Sequence, residues 1–148
     1  MEMAGTRLIA AERGVVWAAL NDPEVLKACI PGCTEMAPTS EGGFEATVVQ
    51  KVGPVSATFK GAVKLTDVVE GRSYRIGGEG KGGAAGFAKG GADVTLTEDG
   101  PDATILTYSA KADVGGKMAQ LGSRLIASTS KKLAGEFFST FNEKVSAG

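Results

Sequence analysis

Apolar and polar residues alternate with a period of two along most of the chain between Cys33 and Val114. The longest such stretch runs from Val55 to Val69, where apolar residues and glycine take one face and Asp67 interrupts it. This pattern is typical of half-buried antiparallel strands. Short connectors such as Gly53-Pro54 favour a meander of hairpins. The predicted strands are residues 2–8, Phe44–Val52, Val55–Val69, Ser73 to about Lys81, about Ala88 to Glu98, and Thr104–Val114.

Two short helices are predicted before the strands and one long helix after them. The first covers Glu12–Leu20, and Asp22-Pro23 then supplies an N-cap and first turn for a second helix that ends before Pro31-Gly32. After Gly115-Gly116 the apolar period returns to 3.6, which predicts one helix from residue 117 to about 143. The residues expected to pack this helix are Leu121, Leu125, Leu133, Phe137 and Phe141.

The element order predicts an α+β fold. In it a curled antiparallel sheet of about seven strands wraps on a long C-terminal helix, with two short helices after the first strand. No repeat or low-complexity linker divides the sequence, so residues 1–148 are expected to form a single domain.

Composition excludes several classes of function. The chain has no histidine, which removes the commonest general base and the commonest metal ligand. The chain has 16 basic and 17 acidic residues, and the basic residues are not clustered, so we expect no nucleic-acid partner. No apolar run is long enough for a transmembrane segment, and the N-terminus does not resemble a signal peptide. We therefore expect a cytoplasmic protein.

The two cysteines, Cys29 and Cys33, are the only thiols. A metal site needs about four ligands, and no further cysteine or histidine exists to complete one. We expect reduced thiols at a helix end and no metal or other cofactor. A redox role or a contact with a partner stays open for this pair.

Glycine is concentrated between Gly77 and Gly91, where eight of fifteen residues are glycine. The stretch formally contains a dinucleotide-binding pattern, but a strand rather than a helix is predicted to follow it. We interpret it as a glycine-rich hairpin that lets the sheet curl and leaves space for an apolar ligand.

The expected cavity lies under the first half of the long helix, where Gly122, Ser123, Ala127 and Ser128 are small. The two tyrosines would be its polar handles. The predicted ligand-binding residues are Phe44, Val48, Phe59, Tyr74, Phe87, Tyr108, Met118, Leu121 and Leu125. Asp67 and Asp113 are the remaining acid–base candidates. Acids at strand ends are more often solvated, so no catalytic residue is predicted.

Two stretches of the sequence resemble a known family. They are VWAALNDPEVLKACIPGC at 16–33 and GGKMAQLGSRLI at 115–126, the second followed by Lys132-Leu133-Ala134 and the run 137–141. Both are similar to the carbon monoxide dehydrogenase CoxG family, which has the START-like helix-grip fold. The resemblance extends over essentially the whole chain.

The resemblance implies a non-catalytic accessory protein. Such a protein binds an apolar lipid- or quinone-like molecule, assists assembly or recruitment of a carbon monoxide dehydrogenase-type molybdenum hydroxylase, or does both. The sequence ends at Gly148 without the extended tail of longer members, and peripheral membrane contact stays open. A cyclase or hydrolase acting in the same cavity is the alternative, because some helix-grip proteins are enzymes. A purely structural partner protein with a filled core is the third hypothesis.

Overall fold

The computed structural model describes residues 1–146, which contain one seven-stranded antiparallel sheet. Its order is β1-β7-β6-β5-β4-β3-β2, so β2 to β7 form a meander and β1 pairs with β7. The strands are β1 (Glu2–Ile9), β2 (Cys33–Pro38), β3 (Gly43–Val52), β4 (Val55–Val69), β5 (Ser73–Lys81), β6 (Phe87–Glu98) and β7 (Thr104–Gly115). This arrangement confirms the predicted fold class.

Within residues 1–146, three α-helices accompany the sheet: α1 (Arg13–Leu20), α2 (Pro23–Cys29) and α3 (Ser123–Val145). The carboxylate of Asp22 caps α2 as predicted, because its Oδ1 accepts a 2.9 Å hydrogen bond from the backbone N–H of Glu24. This bond satisfies one of the free N–H groups of the first turn. None of the helices within residues 1–146 has both the length and the apolar character that crossing a bilayer requires.

The prediction of one continuous helix from residue 117 was wrong. Residues Gly116–Leu121 form a 3₁₀ segment, and α3 begins only at Ser123. Gly122 lies between them with φ = 92°, a conformation that cannot continue a right-handed helix and that glycine adopts without steric cost. The apolar spacing from Met118 to Leu125 is helical in period on both sides of the break, so periodicity alone could not reveal it.

The interruption of the apolar face of β4 has a structural cause. Asp67 has φ = 51°, and the register between β4 and β5 shifts between Thr66 and Val69. The extra residue forms a β-bulge. At this bulge the side chain of Asp67 turns away from the apolar face on which strict alternation would place it. The carboxylate is exposed and lies 4.0 Å from the guanidinium of Arg75.

The most deeply buried part of the core lies where the end of α3 meets β1, β7 and α1. Its fully buried apolar side chains include Phe141, Ile9, Leu106 and Val16. The buried hydroxyl of Thr104 donates a 2.8 Å hydrogen bond to the carbonyl oxygen of Ala11. This bond compensates for the loss of hydration of the hydroxyl. This end of the molecule is closely packed, in contrast to the opposite end of the sheet.

Candidate ligand-binding site

A cavity of about 510 Å³ lies between the concave face of the sheet and the helices. Its floor is formed by β3 to β7, and its roof by the phenyl rings of Phe137 and Phe138 of α3. Leu20 ends α1 and contributes a side chain, as do Leu26 in α2 and Ile30 just after it. The volume falls in the range of about 300–1,000 Å³ that is typical of small-molecule sites.

Part of the cavity floor consists mostly of residues with small side chains or none. Two rows cross the strands at this end of the sheet. The pairing register aligns Ala46, Gly61, Gly80 and Ala88 in one row, and Val63, Gly78, Gly90 and Ala112 in the next. Farther along the same face the opposed residues are larger, for example Leu96 and Leu106. The cavity therefore opens where side-chain volume is missing.

Two of these glycines differ in what a side chain would meet. A Cβ on Gly61 would clash with the carbonyl oxygen of Glu79 on β5, so the close approach of the two strands requires glycine there. A Cβ on Gly80 would have Phe59 Cβ as its nearest neighbour, at 3.8 Å. This is an ordinary van der Waals contact, so Gly80 can accept a side chain that would project into the cavity.

Aromatic rings line the transition from the cavity to the core. Tyr74 meets Trp17 edge to face, with ring centroids 5.6 Å apart and an interplanar angle of 75°. Tyr108 stacks on Phe138 at 5.3 Å and 26°. Such pairs fix ring orientation and stabilise by about 0.5–1.5 kcal/mol beyond area burial. The guanidinium of the exposed residue Arg7 lies 5.3 Å from the Phe138 ring centroid.

Tyr74 is the buried polar group of the site. Only 8% of its surface is exposed, and it lines the cavity. Burial raises the pKa of Tyr74 to about 12, because the ionised phenolate would lose its hydration. The hydroxyl is therefore a neutral donor and acceptor throughout the physiological pH range.

Of the nine side chains predicted to bind a ligand, the structure brings five together around the cavity. These are Phe44, Val48, Phe59, Tyr74 and Tyr108. All five are large residues of predicted strands, and the alternation of side chains places them on the concave face of the sheet.

The other four predicted residues lie elsewhere, mainly because of the helix break at Gly122. Phe87 opens β6, is 41% exposed and packs against Gly115. Met118 is buried in the 3₁₀ segment. Leu121 ends that segment, and Leu125 lies next to Gly53 in the turn between β3 and β4. Helix α3 thus lines the cavity through Phe137 and Phe138 of its second half, not through its first half as expected.

Sequence reasoning missed the cavity residues contributed by the short helices and by β2. Leu20, Leu26, Ile30 and Met36 all line the cavity. Their apolar spacing in and around α1 and α2 was visible, but nothing in it distinguished a cavity wall from ordinary core. The pairing of small residues across strands would have been the better indicator, and it needs the register.

The cysteines and acids do not form a chemical site in the part of the chain that the structure describes. Cys29 is buried, Cys33 is partly exposed and donates a 3.2 Å hydrogen bond to the carbonyl oxygen of Glu35, and both thiols are free. Burial raises the pKa of the Cys29 thiol, an effect that Lys144 partly opposes. Residues 1–146 hold no group of three or more potential metal-ligating side chains. Asp67 and Asp113 lie away from the cavity.

Known structures share this architecture. A conserved protein from Geobacillus kaustophilus is 28% identical, with a TM-score of 0.91 over 98% of this chain and 95% of that one. A START superfamily protein from Mycobacterium smegmatis is 14% identical, with a TM-score of 0.72 over 97% and 96% of the two chains. The Zhui aromatase/cyclase from Streptomyces sp. R1128 is 11% identical, with a TM-score of 0.69 over 98% and 93%. The last two likenesses show the fold alone.

The sequence comparisons agree with the fold. No curated protein matches the sequence. The family model for CoxG, a carbon monoxide dehydrogenase subunit, matches residues 5–146. That match spans nearly the whole chain and includes both stretches on which the resemblance was based. The chain belongs to the carbon monoxide dehydrogenase CoxG family, and its fold is START-like.

Proposed function

We propose that this chain is a non-catalytic accessory protein that binds one apolar, lipid- or quinone-like molecule in the cavity between sheet and α3. The observation that carries the proposal is the cavity floor, where two rows of small residues leave about 510 Å³ unfilled. The cavity is open to solvent, so its apolar lining contacts water when no ligand is bound. A ligand that fills the space would remove this apolar surface from water.

Binding is favoured over catalysis by the chemistry of the lining. An enzyme of the cyclase or hydrolase kind needs a proton donor and a proton acceptor that face its substrate. Among the described cavity residues, the inward-facing titratable groups are Tyr74 and Tyr108. Because burial raises its pKa to about 12, Tyr74 stays protonated near neutral pH and cannot serve as the proton acceptor. The lining therefore suits a protein that holds its ligand unchanged.

The second part of the proposal is the partner. Family membership supports a role in the assembly or recruitment of a carbon monoxide dehydrogenase-type molybdenum hydroxylase. In this proposal the protein acts in the cytoplasm, where its free thiols stay reduced, and peripheral contact with a membrane serves ligand exchange. Genes for molybdenum hydroxylases beside the gene of this chain, and co-purification with their products, would support this part.

The ligand proposal is tested by titration. Purified protein is first extracted with organic solvent, and the extract is searched by mass spectrometry for bound apolar molecules. The stripped protein is then titrated with a panel of quinones and fatty acids. Trp17, the single tryptophan, contacts the cavity residue Tyr74 and reports occupancy through its emission. Calorimetry corrects for absorption by the quinones.

The expected result is saturable binding of at least one class at one molecule per chain. If no compound in the panel binds and the extract is empty, the carrier proposal is wrong. Docking to a partner would then be the remaining role.

A further inference from the structure

The Tyr74 hydroxyl makes no side-chain hydrogen bond among residues 1–146, although the residue is more than nine-tenths buried. A buried hydroxyl without a partner is costly unless it keeps access to solvent or meets a ligand. Among the described residues, no side-chain polar atom is both shielded from solvent and without a hydrogen-bond partner. The Tyr74 hydroxyl therefore remains accessible to solvent. Because Tyr74 lines the cavity, a ligand there can supply the missing partner.

Tyr108 is placed differently, although it lines the same cavity. Its ring stacks on Phe138, and its hydroxyl lies beside Gly5 of β1, where a Cβ would be 3.2 Å from the Oη atom. The hydroxyl is therefore directed toward the edge strand β1. Neither tyrosine hydroxyl has a side-chain hydrogen bond among residues 1–146, but Tyr74 is the more deeply buried of the two and is not directed toward the sheet edge, so its hydroxyl depends more on a ligand.

The cavity contains no charge, within the described residues, to balance an ionised ligand. Glu79 and Lys89 contribute to its wall, but they are opposed to each other in the register and alternate with Gly78 and Gly90. Their side chains therefore project from the convex face of the sheet. The guanidinium of Arg7 lies over Phe138 of the roof, outside the cavity lining. An anionic head group on the cavity floor would lose its hydration without gaining a counter-ion there.

We infer that Tyr74 is the specificity-determining residue of the cavity, and that its hydroxyl donates a hydrogen bond to an uncharged acceptor oxygen, such as a carbonyl, on an otherwise apolar ligand. The inference rests on the proposed function, since it assigns a ligand class to the same cavity. The cavity is then expected to bind neutral carbonyl compounds more tightly than carboxylates or plain hydrocarbons of the same shape.

Three rigid probes of similar shape test this assignment by calorimetry: 2-acetylnaphthalene, 2-isopropylnaphthalene and 2-naphthoate. Tyr74→Phe should weaken binding of the ketone about fivefold to tenfold, the ordinary worth of one hydrogen bond, and change that of the hydrocarbon less than about twofold. Tyr108→Phe should change both affinities by the same factor. The carboxylate should bind wild type more weakly than the ketone.

A second measurement needs no variant, which matters if Tyr74→Phe does not fold. The probe is 2-acetylnaphthalene with a ¹³C-labelled carbonyl group. Its infrared carbonyl stretch should lie at a lower frequency when it is bound to the protein than when the same compound is dissolved in an alkane, because a hydrogen bond to the carbonyl oxygen lowers this frequency. A bound ketone whose carbonyl frequency equals that in an alkane solvent would overturn the assignment. So would a ratio of ketone affinity to hydrocarbon affinity that Tyr74→Phe leaves unchanged. If neither neutral probe binds wild type although a quinone or fatty acid does, the inference is wrong and the proposed function stands. If nothing in either set binds, the proposed function fails as well.

Discussion

Gly61 on β4 lies directly opposite Gly80 on β5, and neither residue places a side chain on the concave face of the sheet. The two positions are not equivalent. A Cβ at residue 61 would meet the backbone of β5, whereas one at residue 80 would enter open space beside Phe59. One glycine therefore permits the curl of the sheet, and the other only leaves the cavity unfilled.

The first prediction compares alanine at these two positions. Gly61→Ala should lower the free energy of unfolding by about 1–3 kcal/mol, since the strands must separate to admit the methyl group. Gly80→Ala should be neutral or slightly stabilising, because it restricts the unfolded chain without a clash. Urea unfolding of both variants measures the difference. Equal losses would mean that the sheet does not curl as described.

The second prediction concerns the phenylalanines of α3. Phe141 is fully buried in the core, whereas Phe137 is half-buried and borders the cavity. Phe141→Ala should cost about 3–5 kcal/mol of unfolding free energy. Phe137→Ala should cost less, because the lost ring already faces unfilled space on one side. Thermal or urea unfolding ranks the two, and a larger loss at Phe137 would contradict this packing.

The third prediction follows from the buried phenol. The pKa of Tyr74 is about 12 in the folded chain and about 10 in the unfolded one. The stabilising contribution of the neutral phenol is complete below about pH 10 and is lost as the pH rises toward about 12. This loss amounts to roughly 2–3 kcal/mol.

Wild type and Tyr74→Phe should therefore differ in how steeply stability falls between about pH 10 and about pH 12, with the phenylalanine variant less sensitive. Tyrosinate absorbance near the same pH provides a direct titration, since the chain has only two tyrosines. A single transition near pH 10 that accounts for both tyrosines in wild type would show that Tyr74 is not desolvated.

The fourth prediction concerns the thiols. Only 2% of Cys29 is exposed and burial raises its pKa, so both access and thiolate fraction limit its reactivity. Cys33 is more exposed and should be alkylated first by iodoacetamide at neutral pH. Peptide mapping by mass spectrometry follows both sites in the same sample. Faster labelling of Cys29 would contradict its burial in the core.

The sequence predicted the elements better than it predicted the cavity. Period-two and period-3.6 patterns report which face of an element is apolar, so six of the seven strands and the buried Phe141 could be predicted, but β2 was not among the strands given bounds. The Asp22 cap was predicted from the residue pair Asp22-Pro23. These patterns do not report local backbone conformation, which is why the bulge at Asp67 and the helix break at Gly122 appeared only in the structure. Both are single residues with positive φ.

The position of the cavity depended on information that a single sequence does not contain. Glycine enrichment between Gly77 and Gly91 indicated missing side-chain volume, but not on which face. Gly80 and Gly77 belong to the same tract, yet they lie on opposite faces of β5. The strand register decides which glycines align with Gly61 and Ala46 to form the floor. It also places the cavity beneath the second half of α3.

The difference between Gly80 and Gly77 offers the most direct test of the central claim, that an apolar ligand occupies this cavity. Both residues accept a Cβ at ordinary contact distance, 3.8 Å from Phe59 Cβ at Gly80 and 3.6 Å from the Gly90 carbonyl oxygen at Gly77. Gly80→Val adds a branched side chain inside the cavity, and Gly77→Val adds the same group on the convex face. The measurement is the calorimetric affinity of each variant for the tightest ligand of wild type. The account predicts at least about a tenfold loss for Gly80→Val and wild-type affinity for Gly77→Val. Equal affinities in the two variants would place the ligand elsewhere.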